Sequence, residues 1–265
     1  MRIRKHKIRS GTQERIKRIV SVSSEKKVLI FAVSGALMLL AIAVLFGQLY
    51  TDDAKPKTLI ASVVAPPPEE YVPPVDFKAL SERNNEIVGW VSAPLLGIDE
   101  PVVQSKNNSK YLSTDFDGEY AKHGTVFLDC ACDPSFESVH NVIYGHNLKA
   151  GGMFSPLTAL KQPSEFERCR DDITLYTPDR KIPLTIIAVE AAPSDATRRT
   201  TEFISRAAFA DFADDLIGRC TLRREGVKYD SLYSFITCSY EGDDYRTYIY
   251  AVERESKSAL SVQTD

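Results

Sequence analysis

From Val28 to Tyr50 the chain reads VLIFAVSGALMLLAIAVLFGQLY, 23 positions without a charged residue. That is enough to cross a bilayer as a single helix. Lys26 and Lys27 precede the run, and Asp52 and Asp53 follow it. A basic flank stays on the cytoplasmic side, so the run predicts a signal anchor with everything beyond Tyr50 outside the cell. The rival is a cleaved signal peptide, with an apolar region of about 7–15 residues and a small-residue cleavage site close behind. The sequence LFGQLYTDD offers no such site. A buried core helix fits less well, because apolar residues cover every side of the run.

Charge supports the same division. Residues 1–27 carry ten Lys/Arg and two Glu, a net of +8, while the other residues carry a net of −11. A protein body of that sign repels phosphate, which argues against nucleic acid as the partner of the basic tail. After the apolar run come five prolines between Pro66 and Pro74 among scattered charges. Such a stretch is an extended spacer, at about 3 Å per residue where polyproline-like. The expected organisation is therefore a basic tail at 1–27, a transmembrane anchor at 28–50, a stalk at 51–75, a folded domain at 76–258 and a short tail at 259–265.

Within the folded domain eight stretches read as strands: EIVGWVSA, EPVVQ, GTVFLD, NVIYGH, ITLYT, IPLTIIAVEAA, YDSLYSFITC and RTYIYAVE. They are rich in β-branched and aromatic residues and bounded by turn residues. TPDRK, between Leu175 and Ile182, reads as a hairpin turn. Phe209, Phe212, Ala213, Leu216 and Ile217 form an apolar stripe at helical spacing, and shorter helices are expected at DFKALSERNN and MFSPLTALKQ. The fold class is mainly β: a closed or nearly closed barrel with helical insertions, with a β-sandwich as the alternative.

Five cysteines in a domain placed outside the cell leave at least one unpaired. Cys130 and Cys132 sit two apart at a strand end, and a zinc site with His123 lacks a second pair at ligand spacing. Cys169 and Cys220 fall in helical segments and read as core. His6 is in the basic tail, and His123 and His140 lie in polar segments that look like solvated surface. His146 ends the strand NVIYGH and opens the loop NLKAGG, a position anchored by a strand and open to a cleft. The plain alternative for it is a capping or surface histidine. DFDGE at 115–119 lacks the glycine and distal glutamate of a calcium loop and reads as a turn.

Cys238 and Arg246 are separated by seven residues, Ser239 to Tyr245. If SLYSFITC and RTYIYAVE are antiparallel neighbours, the thiol and the guanidinium meet across the mouth of the hairpin. A thiol becomes a nucleophile when positive charge stabilises its thiolate. An arginine there presents several N–H donors to an oxyanion, and a histidine can return a proton to a leaving amine. The plain reading is a half-buried cysteine beside an exposed strand arginine.

YLSTDFDGEYAKHGTVFLD, NVIYGHNLKAGGMFSPL and FITCSY followed by an arginine resemble the sortases, membrane-anchored cysteine transpeptidases of Gram-positive surfaces. GHN followed by GGMF, and NNEIVGWVSAPLLGIDEPVVQSKNNSKYL, resemble class B, and the likeness runs from about residue 80 to 252. It implies a closed barrel with His146 as catalytic histidine, Cys238 as nucleophile and Arg246 as the essential arginine. It also implies that Thr237 lies beside the substrate and that Asn108, in KNNSKYL, sits near the active site. The implied reaction cleaves a sorting-signal peptide through a thioacyl-enzyme and passes the acyl group to a surface amine, from a cell-wall precursor or a pilin lysine. No metal or organic cofactor is implied. The chain departs from the usual Thr-Leu-x-Thr-Cys pattern with Ser234-Phe235-Ile236-Thr237-Cys238, and its Cys-to-Arg loop is short for class B. Both departures bear on substrate preference.

Other readings stand beside this one. A papain-like peptidase places its cysteine before its histidine, the reverse of this order. An L,D-transpeptidase has histidine before cysteine, but in a His-Gly-Cys run that is absent here. A non-enzymatic adhesin or receptor domain on a stalk is the reading from another class.

Overall fold

The computed structural model describes residues 24–52 and 71–254, with side chains in the first segment described at Leu29 and from Phe31 to Leu45. Most of the basic tail, most of the stalk and the C-terminal tail lie outside the described residues. The chain divides into two units, Met1–Glu69 and Glu70–Asp265. In the first, helix α1 spans Ser24–Asp52. Its described apolar side chains are open, with Phe31 77% and Leu39 69% exposed. Among the described residues no helix is long and apolar enough to cross a membrane. The side chains described in α1 cover only part of the uncharged run from Val28 to Tyr50.

The second unit is a barrel. Its strands are β1 (Ile87–Ala93), β2 (Ile98–Val103), β3 (Phe127–Leu128), β4 (His140–Tyr144), β5 (Thr174–Tyr176), β6 (Lys181–Pro193), β7 (Leu222–Arg223), β8 (Leu232–Cys238) and β9 (Tyr245–Glu253). They lie in the order β5-β1-β2-β3-β4-β8-β9-β6-β7, and β5 also pairs with β6. That last pairing closes eight strands on themselves and leaves β7 outside the ring. All eight expected strands form, and the arrangement is the closed barrel and not the sandwich. Closure removes the open edges that a sheet of this size would expose. The two-residue β7 carries too little pattern to be read from sequence.

Strand β6 makes closure feasible. It pairs with β5 at its start, with β7 near its middle and with β9 along most of its length. A register shift between Ile186 and Ala188 marks a bulge, and a bulge bends and twists the strand that carries it. The hairpin TPDRK joins β5 to β6, with the Thr177 hydroxyl accepting from the Asp179 and Arg180 N–H groups at 3.3 and 3.0 Å.

Strand β8 is buried on both faces. Tyr233 and Phe235 join the barrel interior with Ile143, Ile249 and Ala251. Leu232 and Ile236 join a second core outside the barrel, with Val142, Tyr248 and Tyr250. Helix α4 (Arg206–Arg219) covers that outer core with Phe209, Ala213, Leu216 and Ile217. Ser205 caps it, accepting from Ala208 N–H at 3.1 Å. Burying each such side chain stabilises by about 1.5–3 kcal/mol, which outweighs the modest helix propensity of this sequence. DFKALSERNN supplies α2 (Phe77–Arg83), capped by Asp76. MFSPLTALKQ forms a 3-10 turn over Ser155–Lys161 in place of an α-helix, and α3 (Pro163–Arg168) follows it.

The sequence reading placed His140 on the solvated surface, and this is corrected: it is fully buried. It starts β4 on the outer core, where the imidazole survives because both ring nitrogens find partners. Nδ1 lies 2.6 Å from the Thr200 carbonyl, which can only accept, so Nδ1 carries the proton. Nε2 therefore accepts from the Ser234 hydroxyl at 2.7 Å. Burial pushes the pKa of His140 down to about 4.

That depression makes a stability prediction. The unfolded chain protonates this histidine near 6.5, whereas the folded protein resists until about 4. The stabilising effect is thus full above pH 6.5 and is lost as pH falls through that window. Glu241, held down to about 2 by the Lys161 ammonium and the Ser239 hydroxyl, loses its contribution only below the ordinary carboxylate range. Between pH 6.5 and 4.5 the unfolding free energy should fall by roughly 2–3 kcal/mol. Denaturant titrations at stepped pH check this, and the profile of His140→Gln should be flatter than that of the wild type.

Candidate active site

Three strands assemble the site through their register. Strands β4 and β8 run parallel, with Val142 opposite Ser234 and Tyr144 opposite Ile236. The Gly145 N–H carries the ladder one step further, to the Ile236 carbonyl at 3.1 Å. Strands β8 and β9 run antiparallel, with Ile236 opposite Tyr248 and Cys238 opposite Arg246. Side chains two apart on a strand share a face. Tyr144, Ile236 and Tyr248 therefore form one row across the outer surface, Cys238 and Arg246 form the next, and His146 reaches the same cavity from the loop after β4. His146 lies two residues beyond the end of β4, not within it.

Two adjoining cavities sit over these rows. One, of about 110 Å³, is lined by His146, Thr237, Cys238 and Arg246. The other, of about 180 Å³, is lined by Asn108, Tyr144, Ser194, Arg199, Arg246 and Tyr248. Leu112, Phe127, Tyr144, Ile236 and Arg246 belong to both, so the two form one groove. A larger cavity of about 510 Å³, lined by Lys181, Lys228, Asp230 and Glu253 among others, holds neither cysteine nor histidine. The chemistry belongs in the groove.

His146, Cys238 and Arg246 are each held by their neighbours. His146 Nε2 lies 2.8 Å from the Leu112 carbonyl. A carbonyl only accepts, so Nε2 carries hydrogen and Nδ1 keeps the lone pair of the neutral ring. Leu112 ends a 3-10 turn (Lys110–Leu112) whose position depends on Gly124. There φ is +61° and a Cβ would sit 2.2 Å from the Tyr111 carbonyl oxygen, so only glycine fits. Gly145, beside His146, packs directly on the buried Phe154 ring, and a Cβ would come within 2.6 Å of it.

Arg246 donates to the Tyr245 carbonyl at 3.0 Å and pairs with Asp244 at 2.8 Å. Asp244 is 69% exposed, so the pair adds little stability and serves to aim the guanidinium. The Cys238 carbonyl accepts from Asn147 Nδ2 at 2.8 Å, and Tyr240 donates to the Asn147 carbonyl at 2.8 Å. Asn147 thus ties the loop after His146 to the loop after Cys238. Sequence reading missed it, although it completes the GHN triplet.

The remaining expected residues fall as follows. Asn108 reaches the groove; its Nδ2 donates to Asp129 and its Oδ1 accepts from Cys130 N–H, both at 2.8 Å. Thr237 is next to Cys238 but only 2% exposed. Its side chain points to the opposite face of β8 from Cys238, so what it offers a ligand in the groove is backbone. Cys132, Cys169 and Cys220 are buried, and Cys130 is exposed. Burial pushes the thiols of Cys132 and Cys220 up to about 12. Cys169 and Cys220 follow the ends of α3 and α4 as core residues. All five cysteines are free thiols. Among the described residues no group of three or more His, Cys, Asp or Glu gathers as metal ligands. Residues 115–119 form a turn closed by Asp115 N–H to the Glu119 carbonyl at 2.9 Å.

No protein-family model matches the chain. It is 28% identical over 171 residues to sortase B of Listeria monocytogenes, spanning 63% of this chain and 69% of that protein. A Bacillus anthracis crystal structure, described as similar to sortase B, superimposes with a TM-score of 0.62 at 27% identity, covering 71% of this chain and 90% of that one. A Staphylococcus aureus sortase B–substrate complex shares the fold, with a TM-score of 0.61 at 22% identity over 68% of this chain and 85% of that one. The likenesses in sequence and in barrel agree with the three motifs and their order, and together they support a class B sortase, a family of cysteine transpeptidases.

Proposed function

We propose that Cys238, His146 and Arg246 carry the transpeptidase reaction, on a domain tethered to the membrane by the run from Val28 to Tyr50. The observation that supports this most is that Cys238 and Arg246, paired across β8 and β9, share one cavity with His146 from the loop after β4. The Cys238 thiol passes its proton to His146 Nδ1, and the resulting thiolate attacks the carbonyl carbon of a sorting-signal peptide lying in the groove. Negative charge moves onto the carbonyl oxygen, and Arg246 donates to it. His146 gives its proton to the leaving amine as the peptide bond breaks, leaving a thioacyl-enzyme. Nε2 is committed to Leu112, so Nδ1 is the nitrogen that transfers protons. An incoming amine, from a cell-wall precursor or a pilin lysine, loses a proton to His146, takes the acyl group and releases the thiolate.

The peptide as donor is supported by the Staphylococcus aureus neighbour, described as bound to substrate. Anchoring is supported by the uncharged run, its lysine flank and the helical backbone of Ser24–Asp52. Placement is then single-pass, with the N-terminus cytoplasmic and the barrel outside. Residues 76–258 are the catalytic domain of this reading.

Three outcomes test it. Cys238→Ala should abolish both peptide cleavage and covalent trapping by an electrophilic peptide mimic, and His146→Ala should stop turnover. Alanine at Cys130, Cys132, Cys169 or Cys220 should leave at least part of the activity. Full activity in the Cys238 or His146 variant, measured by peptide cleavage, removes the mechanism.

Arg246→Lys separates charge from geometry. Lysine keeps the charge but not the planar fork of donors, and loss of such a donor costs on the order of 100- to 1,000-fold in turnover. The variant should melt within a few degrees of wild type and lose most of its catalysis. Cleavage rate and thermal melting on the same sample decide between fork and charge.

Deleting residues 1–50 should give a soluble protein that still cleaves peptide, because among the described residues the two barrel cores are built from Val88 onward. Aggregation of the truncated protein, together with protease protection that places the barrel inside the cell, contradicts the anchor.

A further inference from the structure

Behind the groove wall lies a carboxylate that the reaction does not use. Asp129 follows β3 and is only 6% exposed. Its Oδ2 accepts from the Tyr144 hydroxyl at 2.6 Å and from Asn108 Nδ2 at 2.8 Å. Its Oδ1 accepts from the Ala131 N–H at 3.0 Å. All its partners are neutral, and among the described residues no cation pairs with it. A buried charge held only by neutral donors is costly to keep, which makes its contacts worth following outward.

Both side-chain partners line the groove beside Arg246. An ionised carboxylate accepts and never donates. The one hydroxyl proton of Tyr144 is therefore spent on Asp129, and its oxygen faces any ligand as an acceptor. Asn108 has its Oδ1 taken by the Cys130 N–H and one amide hydrogen taken by Asp129. What it keeps for the groove is a single N–H. Burial and the neighbouring Asp129 push the Tyr144 phenol above its ordinary range, which keeps that proton in place.

We propose that Asp129 is a positioning residue for peptide binding: by consuming the Tyr144 proton and one Asn108 amide hydrogen, it fixes an acceptor and a donor side by side on the groove wall. The inference rests on the transpeptidase reading above and adds a residue that never touches the peptide. A purely structural role competes with it, because Asp129 also closes the turn to Ala131 and Cys132. Loss of a turn-closing contact lowers stability. It does not by itself change how a folded enzyme binds its peptide.

The experiment uses the full chain in detergent, a sorting-signal peptide that the wild type cleaves, and four proteins: wild type, Asp129→Asn, Tyr144→Phe and the double variant. Asparagine keeps the volume but turns N–H groups toward Tyr144 and Asn108, so the donor and acceptor must reverse. KM should rise about tenfold in Asp129→Asn, as for one lost hydrogen bond, while alkylation of Cys238 by iodoacetamide keeps the wild-type rate. The double variant should show less than the product of the two single effects, because Asp129 acts through Tyr144. An unchanged KM in a folded Asp129→Asn protein overturns the proposal, and so does alkylation that slows as much as cleavage. If Asp129→Asn shows no melting transition, Tyr144→Phe decides, since an unchanged KM there removes the acceptor from the account. A wild type that cleaves no peptide takes down the transpeptidase reading and this inference together.

Discussion

The parallel ladder between β4 and β8 is the constraint on which the rest of the site depends. Parallel pairing needs a long crossover, and here the chain between the two strands builds the last part of the ring and the α4 cover before it returns as β8. The result is that His140 through Tyr144 and Leu232 through Ile236 advance in step. A register slip of one residue would turn every side chain of β8 to the other face. Cys238 would then face the barrel interior and Thr237 the groove. Two-sided burial prevents this, since Phe235 fits only the interior and Ile236 only the outer core. The packing of two separate cores thus fixes which face the thiol takes.

Beyond the ends of the strands the ladder no longer holds anything, and loops take over. His146 is steadied by a carbonyl from a remote 3-10 turn, and Cys238 by an amide from Asn147. The turn that offers the Leu112 carbonyl is itself braced at Tyr111, whose hydroxyl donates to Glu86 at 2.5 Å and accepts from Asn84 Nδ2 at 2.9 Å. Each contact is modest, of order 1 kcal/mol. Their value is geometric: they restrict the imidazole and the thiol to one relative placement, which catalysis requires more strictly than folding does.

The parts of this site that were legible in the sequence are the local ones. Cys238 and Arg246 are joined by a short polar loop between two strand-like runs, so their meeting follows from hairpin geometry. The link from His146 to Cys238 is not local: its position at a strand end before a Gly-rich loop singled the histidine out, and the likeness to a family paired it with the thiol. His140 was misjudged because its flanks, SFESVH, look like surface, and partners for its ring come from Thr200 and Ser234, far along the chain. Asp129 was unread for a similar reason. In FLDCACD an aspartate looks like an ordinary turn residue, and nothing in the spacing reveals the tyrosine and asparagine that converge on it. The barrel itself was readable because its strands are strongly patterned. Its closing β5–β6 hairpin was signalled by TPDRK, whereas the β6 bulge has no sequence signature of its own.

Local rules are broken close to the chemistry. Among the described residues three non-glycine residues have a positive φ: Phe136, Met153 and Asp244. Two of them belong to the loops that follow His146 and precede Arg246. Backbone held there costs of order 1–3 kcal/mol per residue unless surrounding contacts enforce it. The contacts are present: Glu100 accepts from Met153 N–H at 3.3 Å, and the Asp244 carbonyl accepts from Ser194 N–H at 2.8 Å. Beneath Cys238 the Thr237 hydroxyl is buried without a partner, and across the pair Thr247 spends its own hydroxyl on Ser239 at 3.0 Å. An orphan of this kind costs about 1–3 kcal/mol. Two of the positive-φ residues and the Thr237 orphan thus lie next to Cys238, Arg246 and His146, while β8 behind them is packed on both faces. A rigid, over-determined barrel is what allows its rim to hold an arrangement that the rim alone could not maintain.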